Sequence, residues 1–156
     1  MGRRAGVSHN APYKHFSDKQ ALLAAVATRE LNHTASIIRR AGGDGGLASA
    51  VEEVIARAVR RPRRFQLVYG PWATDSAELA VAAETAWQLL VGAVEVAQGR
   101  RELPAGDPGK LANLIRATVH GAIDLTLSGH LSKGRDGGTT AVEIVRAQLA
   151  LLRAAG

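Results

Sequence analysis

The glycines and prolines of this chain fall in clusters, and the clusters cut it into segments that suit helices and little else. "AGGDGG" at 41–46, "RRPRR" at 60–64, "YGPW" at 69–72, "QGRRELPAGDPG" at 98–109 and "SKGRDGG" at 132–138 are the interruptions. Proline removes a backbone donor and glycine loses the most backbone entropy on folding, so regular structure runs between such points and not through them. In the segments between, apolar residues recur every three or four positions, the period of a helix. Helices are therefore predicted over residues 18–40, 47–58, 63–69, 76–98, 108–129 and 139–155. Composition agrees: 46% of residues are hydrophobic but only 4% aromatic. Alanine, leucine and valine supply the apolar surface, and the first two are strong helix formers. An all-α protein is expected, and 156 residues are enough for one domain with a real core.

The stripes assign a face to each helix. The first carries Leu22, Leu23, Val26, Ile37 and Ile38, opens on a Ser17–Gln20 capping-box pattern, and is interrupted by Glu30 and His33. The second carries Leu47, Val51, Val54, Ile55 and Ala58. The fourth sets Leu79, Ala83, Trp87, Leu90 and Val94 along one side, as a central packing element would. The last has Val142, Val145, Leu149 and Leu152 on one stripe, with Ile144 and Leu151 on a second. A terminal helix of a small monomer needs one buried stripe; the second predicts a homodimer built from the last two helices.

Net charge and cysteine count narrow the partners. The charge is +6 with a pI near 10.5, a balance that suits nucleic acid or another anionic surface. The chain has no cysteine, so disulfides and thiolate metal sites are excluded and a reducing compartment is expected. "MGRR" is followed by no apolar stretch of a secretion signal, and the run "ALLAAVA" is too short to cross a bilayer. A soluble, cytoplasmic protein with no membrane contact is expected. The "RRPRR" run reads as a solvated loop between two helices.

The segment "AGVSHNAPYKHF", residues 5–16, carries the most specific signal. Gly6 permits the positive φ of a tight corner, and Ser8 can cap the helix that follows. Pro12 shortens or distorts that helix's first turn. His9, Asn10, Tyr13, Lys14, His15 and Lys19 place hydrogen-bond donors around one short element. With Ser8 they form the candidate DNA-binding set, and Asn10 is able to read a base edge. Val7 and Phe16 suit a local apolar corner.

This segment resembles the turn and recognition helix of the tetracycline-repressor (TetR) family of bacterial transcription regulators. Ala5, Gly6, Val7, Ser8, Tyr13, His15, Phe16 and Lys19 stand at the family's spacing. The resemblance implies that Tyr13, His15 and Lys19 grip the phosphate backbone. It also implies that two helices should precede the segment and seat it in the major groove. Four residues precede Ala5 here. Residues 1–24 are thus expected to be a shortened helix-turn-helix remnant, and residues 25–156 a helical domain for ligand binding and dimerisation. Each large apolar side chain left without its partner costs roughly 1.5–3 kcal/mol, so weakened operator binding is expected. The alternative is a protein that dimerises and binds an effector without reading DNA by itself.

A second stretch, "IRATVHGAIDLTLSGHL" at 115–131, resembles the regulatory-domain signature of a TetR subgroup with a Trp-His-Gly triplet, and Val119 takes the place of the tryptophan. The resemblance implies a TetR-like helical bundle, a ligand-responsive repressor, and an unidentified small-molecule effector. Gly121 in mid-helix suits close approach of another helix. Glu30, His33, Trp87 and His120 are the candidate ligand-binding residues: large or polar groups among small apolar side chains, as an effector pocket requires. Tyr69 and Trp72 add large surfaces. His120 and Asp124 share a face four residues apart, but with no second cluster a hydrogen-bonded histidine is the better reading, and no metal or cofactor is expected. A P-loop, an HExxH helix, a nucleophile elbow and a dinucleotide glycine fingerprint are all missing, which argues against an enzyme.

Overall fold

The computed structural model describes residues 16–40, 46–69, 76–131 and 138–155. Among them are six helices: α1 (Lys19–Arg40), α2 (Gly46–Arg60), α3 (Pro62–Tyr69), α4 (Ala77–Gly99), α5 (Pro108–Leu127) and α6 (Ala141–Ala154). The all-α expectation holds, and each helix begins or ends within three residues of the glycine- and proline-rich punctuation read from the sequence.

Side-chain caps fix the starts. Ser76 accepts from the Leu79 amide at α4, and Asp107 accepts from the Lys110 amide at α5, with Pro108 just inside. Thr140 and Glu143 form a reciprocal capping box at α6. At α1 the cap falls one residue later than expected: Asp18 Oδ1, and not Ser17, accepts from the Ala21 amide at 2.7 Å.

Two large apolar clusters make most of the core, with Ile37 and Ala50 forming a small third one, and α4 runs through both large ones. Its first half, with Leu79, Ala82 and Ala86, meets Ala24, Ala27, Leu31 and Ala35 of α1. Its second half, with Ala93, Val94 and Ala97, meets α2 and α5 in a cluster that includes Ile55, Ile115 and Ile123 and that Val145 of α6 joins. Ile55, Ile115, Ile123 and Val94 are at most 2% exposed, each stabilising the fold by about 1.5–3 kcal/mol. Arg146 of α6 ties that end to α2 by donating to both oxygens of Glu52, at 2.6 and 2.8 Å.

Several faces differ from the expected ones, and small side chains explain most of it. The buried stripe in the first half of α1 is Ala24, Ala27 and Leu31, not Leu22, Leu23 and Val26, because alanines facing alanines let α1 and α4 approach closely. Leu23 is exposed. On α4, Ala83, Trp87 and Leu90 are only partly buried, for a reason given below. Helix α4 is also apolar and long enough to cross a membrane by length and composition. That hydropathy belongs to an element packed against α1, α2 and α5, and Glu84 and Glu95 lie exposed along it. Gly121 is exposed, and beyond the backbone of its own helix no heavy atom of the described residues lies within 4 Å of where a Cβ would stand, so no other described helix approaches it.

Candidate ligand-binding cavity

Where the two apolar clusters meet, packing is incomplete and leaves a cavity of about 260 Å³ between α1, α2, α4 and α5. Its floor is apolar: Leu47 and Val51 from α2, Ile115 and Val119 from α5, with Leu31 and Ile38 from α1. Ala83, Trp87 and Leu90 form the α4 wall, and so are only half-buried. Of the stripe that reads as central packing on α4, Ala83, Trp87 and Leu90 face the empty space, whereas Leu79 and Val94 at its two ends are buried and pack with Ala82, Ala86 and Ala93.

The polar groups converge at one end. Tyr69, the last residue of α3, lies with its ring centroid 4.1 Å from that of His120 and 5.0 Å from that of Phe65. His120 meets Phe65 edge-on at 5.6 Å. One turn before His120 on α5, the Arg116 guanidinium sits 4.8 Å over the Trp87 ring, a cation–π contact, and donates to Asn113 Oδ1 at 2.8 Å. Thr34 completes the rim: its hydroxyl donates to the Glu30 carbonyl at 3.1 Å and shares a hydrogen bond with the Tyr69 phenol. Tyr69 and Arg116 are also exposed, which places the mouth of the cavity beside them.

Burial sets the protonation of this end. It pushes the His120 imidazole below its ordinary pKa, and the charge of Arg116 adds to the effect while Asp124 partly opposes it. His120 is therefore neutral near pH 7, with one ring N–H to donate. Burial raises the Tyr69 phenol above its ordinary value against the opposing pull of Arg116 and Thr34, so it too stays protonated.

Behind the rim lies an ionic cluster. Glu30 is buried at 7% exposure and accepts from Arg57 Nε and Nη2, at 3.2 and 2.7 Å, and from Arg64 Nη1. Arg61 stands 4.0 Å away. Burial alone would raise the Glu30 carboxyl, but hydrogen bonds from Arg64 and Arg57, together with their charges, hold it below the usual carboxylate range. The "RRPRR" run is thus no simple solvated loop. Pro62 starts α3, and Arg61 and Arg64 turn back onto α1.

Of the residues singled out from sequence for a pocket, Tyr69, Trp87 and His120 line the cavity. Glu30 lies one turn from its rim in the arginine cluster, and His33 is exposed and away from it. Asp124 acts on His120 as a charge and not as a co-ligand, and among the described residues no three metal-ligating side chains gather. Sequence reading missed Arg116 and Thr34, although both stand one turn from a flagged residue, His120 and Glu30 respectively. Lys19 is exposed as the first residue of α1, whereas Ser8, His9, Asn10, Tyr13, Lys14, His15 and Trp72 fall outside the described residues.

Fold and cavity together define a helical bundle built around a small, mostly apolar chamber with a polar rim. The family model for the tetracyclin repressor-like C-terminal domain matches residues 47–152, and the chain belongs to that family. A solved structure described as that of a protein with unknown function from Rhodococcus sp. RHA1 is similar: 27% identity and a TM-score of 0.78, covering 99% of this chain and 81% of that one. No curated protein matches the chain.

Proposed function

We propose that the chain is a ligand-responsive, non-enzymatic transcription regulator, a repressor, whose effector occupies the cavity between α1, α2, α4 and α5. The supporting observation is the shared use of α1. This helix begins at Lys19, directly after the segment that resembles a recognition helix, and contributes Leu31, Thr34 and Ile38 to the cavity wall. At 1.5 Å per residue, a rigid rod of about 18–28 Å joins the two. An effector that prefers one position of α1 therefore alters DNA affinity by its differential binding, as linkage requires.

In this reading Ser8, His9, Asn10, Tyr13, Lys14, His15 and Lys19 face operator DNA in the cytoplasm. The reading also pairs two copies through α5 and α6. Leu114, Gly121 and Leu125 of α5 lie exposed along one stripe, beside Leu151 of α6, which is 73% exposed. Gln148 reaches from α6 to the Thr118 hydroxyl at 2.7 Å and holds the two helices side by side. Exposed apolar side chains gathered on two neighbouring helices in this way fit a second copy of the same surface.

Fluorescence anisotropy on DNA flanking the gene tests the reading, with light scattering on the same sample. Saturable binding by a dimer, weakened by a cavity ligand, is the expected result. A dimer that binds ligand but no DNA would favour the alternative of an effector-binding protein that does not read DNA by itself. A chain that binds neither would end both readings.

A further inference from the structure

The chemistry of the rim selects among effectors. Thr34 gives its hydroxyl proton to the Glu30 carbonyl. The donors left to a ligand are Arg116, with five N–H groups of which one faces Asn113, the N–H of His120 one turn on, and the Tyr69 phenol against that ring. No Asp or Glu lines the cavity. Glu30, the nearest buried carboxylate, is already held by Arg57 and Arg64, and no carboxylate among the described residues pairs with Arg116. A ligand meets here one fixed positive charge, two neutral donors and an apolar chamber.

We infer that the effector is a small apolar monocarboxylate, its head on Arg116 and His120 and its body against Leu47, Val51 and Ile115; the inference rests on the proposed use of the cavity. A planar guanidinium matches a carboxylate with two parallel hydrogen bonds. Arg116 is held for that geometry by stacking on Trp87 and by its bond to Asn113. A cationic ligand would face Arg116 with no acid to receive it, and a polyanion would bring charge the single arginine cannot balance. Size sets the other limit. A cavity of about 150 Å³ admits benzene, so one of about 260 Å³ admits about 10 non-hydrogen atoms, the scale of a medium-chain or phenyl-substituted acid and far below a large conjugate.

Isothermal titration calorimetry on the full chain tests this, with straight-chain carboxylic acids of roughly six to ten carbons and the primary amides of the same lengths as probes. At least one acid is expected to bind about tenfold more tightly than its amide. Arg116→Gln is expected to erase that preference while leaving the amide's affinity in place; Arg116→Lys, which keeps the charge without the fork, should restore part of it. Ala83→Phe, which fills the cavity from the α4 wall, should abolish binding of both probes while circular dichroism shows the helices intact. Amides that bind as well as the acids, or an acid preference that survives Arg116→Gln, would overturn the carboxylate inference and leave the cavity standing as the binding site. Unchanged binding in Ala83→Phe, or no binding by any probe, would overturn both.

Discussion

Replacing Glu30 by glutamine keeps the volume of the side chain and removes the single negative charge around which Arg57, Arg61 and Arg64 gather. The cost depends on where each arginine goes afterwards. The side chain of Arg57 is only 18% exposed and stays beside the amide, whereas those of Arg61 and Arg64, at 48% and 47%, can turn to water. Breaking a fully buried pair costs about 3–5 kcal/mol, and half-exposed pairs contribute about 0–1 kcal/mol each. One inward arginine and two outward ones place Glu30→Gln at about 2–3 kcal/mol. For a chain of this size that lowers Tm by roughly 5–10 °C. Urea and thermal unfolding followed by circular dichroism give the number, and a double-mutant cycle with Arg57→Gln gives the coupling. Acid adds a second readout. The folded Glu30 pKa lies below its ordinary 4.5, so the stability it contributes is present above that pH and lost as pH falls through the folded value. The variant should lose less stability than the native chain on that limb. A loss under about 0.5 kcal/mol, the range of ordinary surface substitutions, or strictly additive single and double variants, would refute the view that this cluster holds α1 to α2 and α3.

Three further outcomes follow from single features. The folded His120 pKa lies below 6.5, so the unfolded chain binds the proton first and stability should fall as pH drops below 6.5; His120→Gln should flatten that slope in pH-dependent melts. Thr140→Ala removes the α6 capping box and should cost about 1 kcal/mol in urea unfolding, with near-native helix content. If two copies pair through α5 and α6 as proposed, Leu151→Glu should give a monomer by light scattering; in that background Gly121→Ala should raise Tm by about 2 °C, because a helical alanine is better by up to about 1 kcal/mol and nothing among the described residues opposes its Cβ.

Much of this architecture can be read from sequence because its determinants are local. Pro62, Ser76, Asp107 and Thr140 act within a turn of themselves, and the helices start where those residues stand. What sequence conceals is set between helices. An alanine counts as weakly apolar in any stripe, yet Ala24, Ala27, Ala82 and Ala86 are buried where α1 packs on α4, while the larger Trp87 and Leu90 border a void. Periodicity identifies a face without revealing whether that face meets a neighbour or empty space. Glu30 stands out as a polar residue in an apolar stripe, but its partners lie 27–34 positions along the chain, beyond any local pattern. His33 looks equivalent to Glu30 in sequence, but three residues fall about 60° short of a full turn, which carries it past the edge of the buried face and into solvent.

Helix α3 has only eight residues, and its two ends serve different neighbours. Arg64 grips the carboxylate of α1, and Tyr69, about 7.5 Å further along the axis, leans on the imidazole of α5. So short a helix has little room to bend, so a guest that nudges the phenol drags the guanidinium with it. The chamber and the salt-bridged hub are in this sense two handles on one lever.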